Sequence, residues 1–97
     1  MKIRILPSAR LEMLDASDFY DSKSEGLGLR FLSEVDQGLA VILQAPKRWP
    51  QPFVGFHRYR VDPFPYGIFY KVLKTEIVIV AIADLRRRPG YWLHRWK

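Results

Sequence analysis

The chain contains no cysteine, which excludes a disulfide framework, cysteine-ligated zinc and a thiol nucleophile. It has two histidines, His57 and His94, far apart and in no ligand spacing. No metal site and no cofactor are expected. The longest wholly apolar run, Ile77–Ala83, is seven residues, against the roughly 20 that a membrane-spanning helix needs. Met1-Lys2-Ile3-Arg4 carries charge where a secretory signal would carry an apolar core, so the expectation is a cytoplasmic protein without a membrane partner. Acidic residues are scarce in one half only. Residues 1–57 hold seven basic and seven acidic side chains, whereas residues 58–97 hold nine basic and three acidic. A half-neutral, half-basic chain points one face at an anionic partner: nucleic acid, a nucleoprotein or an acidic protein segment.

What is present is one small domain, residues 1–97, with an ordinary globular share of apolar residues, 48%. Lys2–Leu6 alternates as a short strand and Pro7 ends it. Ser8 reads as an N-cap, with Glu12 in the early helix where the dipole favours an acid. Ala9, Met13, Ala16 and Tyr20, widened by Leu14, form the stripe of an amphipathic helix of about three turns. Ser22, Ser24, Gly26 and Gly28 mark a break, and Ser22 with Glu25 fits a capping box. A second helix shows the stripe Leu32, Val35, Leu39, Ile42 and Leu43, and Pro46 closes it. The pair is expected to form an antiparallel helical hairpin.

The proline-rich stretch 46–55 reads as a loop. Phe56–Val61 alternates, with Arg58 and Arg60 on one face and His57, Tyr59 and Val61 on the other. Asp62-Pro63-Phe64-Pro65 is a turn, Tyr66–Leu73 a strand, and Lys74-Thr75-Glu76 a tight connection. Ile77–Ala83, apolar on both faces, reads as a central strand covered on both sides. The sum is an α+β domain, β-α-α-β-β-β, with the hairpin packed on a mostly antiparallel sheet.

The order of certain words adds to this reading. They are Leu27-Gly28-Leu29-Arg30-Phe31-Leu32, Pro46…Trp49-Pro50, Tyr59-Arg60-Val61, Phe64-Pro65-Tyr66-Gly67-Ile68-Phe69-Tyr70 and Arg86-Arg87-Arg88-Pro89-Gly90-Tyr91-Trp92. Together they resemble the RelE/ParE superfamily of toxins from type II toxin–antitoxin systems, over nearly the whole chain and closer to the ParE-like branch. The resemblance implies the same β-α-α-β-β-β fold, a cognate acidic antitoxin and toxin–antitoxin hetero-oligomers. It leaves two targets. ParE-like members inhibit DNA gyrase, and RelE-like members are endonucleases that cut mRNA on the ribosome.

For the nuclease, the resemblance assigns Arg58, Arg60, Arg86, Arg87 and Tyr91. Gly67, however, stands where RelE-like members carry a phosphate-holding arginine, and Asp84 stands where many carry a histidine. Arginines beside Asp84 keep its carboxylate ionised, a weak base and a poor acid. The gyrase reading therefore leads, with Arg58, Arg60, Arg86, Arg87, Arg88, Tyr91, Trp92 and Arg95 as candidate contacts to target or antitoxin. Trp92 and Trp96 follow the last regular element, so they either fold back onto the sheet or meet a partner. The antitoxin is expected to supply an acidic, partly disordered segment that folds along the basic face or a sheet edge.

Overall fold

The computed structural model describes residues 1–96; Lys97, the last of the basic tail, lies outside the described residues. The elements are β1 (Lys2–Ile5), α1 (Pro7–Lys23), α2 (Leu27–Gln44), β2 (His57–Arg60), β3 (Tyr66–Val72), β4 (Glu76–Asp84) and a short 3-10 turn, Leu93–Arg95. The order and type match the sequence expectation. The strands form one mixed sheet in the order β1-β4-β3-β2. β1 runs parallel to β4, and the other two pairings are antiparallel.

The helix starts differ from expectation. α1 begins at Pro7, and its N-cap is Leu6, in extended conformation and without a side-chain cap. Proline fits the first helical position because the N–H it lacks would have no partner there. Ser8 is therefore inside the helix, and α1 runs 17 residues rather than about three turns. The capping box of Ser22 and Glu25 does not form. Ser22 instead donates to the Phe19 carbonyl at 2.5 Å, and Gly26, at φ +85°, is the N-cap of α2. The N-terminal donor of α2 is satisfied from across the hairpin, where the Gly28 N–H donates to Asp21 Oδ1 at 2.7 Å. Gly28 also sits where a Cβ would lie 2.4 Å from the Ser17 carbonyl oxygen.

β4 has a buried interior from Ile77 to Ala83, as its two-sided apolar pattern requires. Its register on β3 passes over Val80, since Phe69 pairs with Ala81 and Tyr70 with Ile79. This bulge breaks the alternation. Ile77, Ile79 and Ile82 face the helical hairpin, with Phe31, Val35, Ile42 and Ile68. Val78, Val80, Ala81 and Ala83 face away and are covered by Phe56, Phe69 and Trp92. The helices thus lid one face, and the 46–56 loop with the C-terminal tail lids the other. Leu14 and Leu43, assigned to the apolar stripes, are 48% and 44% exposed and lie at the margins of the packed faces.

The Gly28→Ala variant is expected to lose about 2 kcal/mol, within the usual cost of overpacking, in urea unfolding followed by circular dichroism. A loss below about 0.5 kcal/mol, the scale of ordinary surface substitutions, would mean that the helices separate without penalty.

Candidate partner-binding face

The tail face of the sheet carries the candidate residues. Arg58 pairs with Phe69 and Arg60 with Gly67 across the β2–β3 ladder, which puts both arginines on the face away from the helices. Beyond β4 the chain turns through Asp84–Gly90 and returns over that same face. Together they enclose a cleft of about 360 Å³ lined by Arg58, Arg60, Arg87, Arg88, Tyr91 and Trp92, with Phe53, Phe69 and Asp84 completing its walls. Six of the eight residues singled out in the sequence thus converge on one site. Arg86 and Arg95 are turned elsewhere.

The arginines differ in how they are held. Arg58 Nε is buried without an acceptor among the described residues. Arg60 approaches Asp62 at 3.6 Å in a contact where both side chains are more than half exposed. Arg87 stacks over the Tyr91 ring at 3.8 Å, a placement that suits a planar guanidinium. Arg86 is held by Asp84, which accepts from Arg86 Nη2 at 2.8 Å, its Nε at 3.0 Å and its main-chain N–H at 2.9 Å. The Arg86 hydrogen bond holds the Asp84 carboxyl below the usual carboxylate range, against an opposing effect of burial. Gly67 is buried beneath the Arg58 stem. A Cβ there would lie 3.3 Å from Arg58 Cγ and 3.1 Å from Leu85 Cδ2, so the position that lacks the expected arginine is the one over which Arg58 lies.

Trp92 and Arg95 require correction as free contacts. Trp92 is 1% exposed and packs against Phe53, Phe56 and Phe69 with ring centroids 4.5–5.4 Å apart. Of the two readings for the tail tryptophans, Trp92 takes the first and folds back onto the sheet. Arg95 is bound to Glu12 through two bonds, of 2.7 and 3.0 Å, with both side chains less than one-fifth exposed. Arg95 also donates to the Val80 carbonyl at 3.2 Å. Glu12 accepts further bonds from the Tyr91 hydroxyl and from the Ile82 N–H at 3.1 Å. Burial, reinforced by the bond to Glu12, pushes the Tyr91 phenol well above its ordinary range. Tyr91 therefore stays protonated at neutral pH and is committed as a donor.

Glu12 was assigned only to the helix dipole, yet it ties α1, β4 and the tail together. It lies in the second turn of α1, beyond the first turn where a dipole acts. Its signal in the sequence was position. Glu12 stands between Ala9, Met13 and Ala16, on the buried side of an otherwise apolar stripe. An acid there needs a buried donor from elsewhere in the fold.

Neither histidine enters the cleft lining. His57 is buried, stacks on Tyr70 at 5.1 Å and makes a 2.7 Å hydrogen bond between Nδ1 and the Trp49 carbonyl. His94 is exposed, with Nδ1 at 3.0 Å from the Tyr91 carbonyl. No cluster of three or more metal-ligating side chains occurs among the described residues, and no described helix is long and apolar enough to cross a membrane.

Truncating the Glu12 side chain to alanine is expected to cost about 3 kcal/mol, because it strands a buried guanidinium, whereas Tyr91→Phe should cost about 1 kcal/mol. Chemical denaturation of both variants measures the difference. The raised phenol also has an alkaline signature. Stability from a raised pKa is complete below the unfolded value, near 10, and falls as pH rises above it. Between about pH 10 and 11.5 the parent should lose stability faster than Tyr91→Phe, and equal slopes would show that the phenol does not contribute.

The comparisons with known proteins bear on the family and on the fold. The family model described as ParE toxin of type II toxin-antitoxin system, parDE, matches residues 3–89. Among solved structures, a chain of the chromosomal ParDE toxin–antitoxin system from P. aeruginosa superposes with a TM-score of 0.78 at 16% sequence identity, covering 88% of this chain and 96% of that one. No curated protein sequence matches. The matched span takes in both helices, all four strands and the Arg86–Arg88 run, and the chain belongs to the ParE toxin family of type II toxin–antitoxin systems.

Proposed function

We propose that the protein is a toxin that binds and inhibits DNA gyrase and is neutralised by a cognate acidic antitoxin. The observation that carries this reading is the makeup of the cleft. Four arginines line it, and no group beside them is suited to move a proton near neutral pH. Asp84 is held ionised by Arg86, Tyr91 is held protonated against Glu12, and the histidines stand outside. RNA cleavage through the 2′-hydroxyl needs a base for that hydroxyl and an acid for the leaving oxygen, in addition to cations for the phosphorane. Arginines without a titrating partner suit recognition, because guanidinium forks bind planar anions in a fixed geometry.

The endonuclease remains the second reading. One observation favours it, since Arg58, Arg60, Arg87 and Tyr91 converge on a single cleft. A cation cluster of that kind could stabilise a phosphorane even with poor proton transfer.

The two readings separate in purified systems. With gyrase, relaxed plasmid and ATP, micromolar toxin is expected to inhibit supercoiling. Arg58→Ala and Arg88→Ala should each weaken inhibition about tenfold, the loss expected for one charged contact. Added antitoxin should restore supercoiling. Absence of inhibition, together with codon-localised cuts in a primer-extension assay on translating ribosomes, would replace the gyrase reading with the endonuclease one.

A further inference from the structure

Four guanidinium groups share the cleft between β2 and the tail, and the fold supplies almost no charge to balance them. Arg58 and Arg60 come from β2, and Arg87 and Arg88 from the turn after β4. Asp84 is the one acid in the lining, and Arg86 already engages it through Nε, Nη2 and its main-chain N–H. Arg60 has only the exposed 3.6 Å contact with Asp62. No ion pair among the described residues engages the other three.

These cations are held together rather than left to splay apart. Arg87 lies 3.8 Å from the centre of the Tyr91 ring, and Tyr91 is fixed in turn by its hydroxyl bond to Glu12. The Arg58 stem lies across buried Gly67, where a Cβ would be 3.3 Å from Arg58 Cγ. Arg58 Nε is closed to solvent, so Arg58 contributes charge to the cleft rather than an Nε hydrogen bond. Phe69, Ala83 and Trp92, which complete the lining, are buried and apolar. Low-dielectric walls of this kind focus the field of like charges on whatever enters, and cations placed in advance lower the ordering cost of binding.

We propose that this cleft binds a condensed phosphate chain, carried by a nucleoside triphosphate or by inorganic polyphosphate. The reason is charge density. Four cations around about 360 Å³ call for a comparable negative charge in the same space. An extended peptide turns a side chain toward one surface only about every 7 Å, so it brings one or two carboxylates into a cleft of this size. A nucleic-acid strand carries one charge per nucleotide. A triphosphate concentrates about four charges on three adjacent phosphorus atoms, one on each inner phosphate and nearly two on the terminal one. Guanidinium groups match phosphate oxygens with paired N–H donors, and here they reach the chain from β2 and from the turn. Phe53, half-buried in the lining, gives a nucleoside base a ring to stack on. Binding of the chain is independent of the gyrase reading. Only its consequence, exclusion of the target from the same arginines, rests on that reading.

Isothermal titration of the full chain, in low salt and without divalent cations, tests this with tripolyphosphate, ATP, AMP, inorganic phosphate and a hexaglutamate peptide. Tripolyphosphate and ATP are expected to bind about 100-fold more tightly than AMP or phosphate, because two fewer charged contacts cost about tenfold each. Arg60→Gln and Arg88→Gln should each weaken triphosphate binding about tenfold, and Arg30→Gln, exposed on α2, should leave it unchanged. Both cleft arginines are exposed, the amide NMR spectrum of each variant reports whether it is folded, and either variant alone carries the test. The two sources separate on Phe53. Tighter binding of ATP than of tripolyphosphate, lost in Phe53→Leu, identifies a nucleotide, and equal binding identifies the inorganic chain. Triphosphate affinity weaker than millimolar, a gap of less than about threefold between triphosphates and monophosphates, hexaglutamate bound as tightly as tripolyphosphate, or an equal loss in Arg30→Gln would each overturn the proposal. Gyrase takes no part in the titration, so failure of triphosphate binding and failure of supercoiling inhibition are separate results.

Discussion

The Glu12 carboxylate is the point on which the tail face of the molecule depends. One oxygen accepts from Arg95 and from the Ile82 N–H, and the other from Arg95 and the Tyr91 hydroxyl. The need for it arises from topology. β1 pairs with β4 only as far as Ile79, after which Leu6 donates to the Ile79 carbonyl and the chain leaves the sheet as α1. The remainder of β4 is left with an unpaired edge. Buried main-chain groups there need partners, and Glu12 and Arg95 supply them at Ile82 and Val80. The carboxylate that satisfies the edge also fixes the tail.

From that attachment the second core follows. A strand apolar on both faces cannot leave one face in water, and this domain has helices for only one. The tail, held at Tyr91 and Arg95, lays Trp92 against Phe56 and Phe69. Burying an indole of this size contributes on the order of 2–3 kcal/mol by area, enough to matter in a domain with a small core. The same fold-back brings Arg87 and Arg88 over Arg58 and Arg60. The basic cleft is thus a consequence of covering β4.

The helices, the strands and their order were legible in the sequence because they rest on local periodicity and on punctuation by proline and glycine. So was the face shared by Arg58 and Arg60, since alternation in a strand is local too. What escaped was of longer range. The helix caps depend on Asp21 reaching Gly28 across the hairpin and on Pro7 occupying the first turn, not on the nearest serine. The bulge at Val80 depends on how β3 and β4 meet. Arg95 read as a partner contact, and Trp92 was open between the sheet and a partner, because nothing nearby in sequence buries them. Their partners are Glu12, 83 positions away, and the far side of the sheet.

The uneven charge also takes on an energetic meaning. The acids that balance the basic half inside the fold are few, and the geometry uses them locally. Asp84 is taken by Arg86 and Glu76 by Arg4, while Glu12 is imported from the neutral half for Arg95. Arg58, Arg87 and Arg88 have no ion pair among the described residues, and four guanidinium groups share one cleft. Mutual repulsion and unpaired buried donors both raise the free energy of the unbound chain. An anionic partner relieves both at once, and because it binds the folded form, it stabilises the fold by mass action. Recognition and stability are therefore coupled through the same arginines.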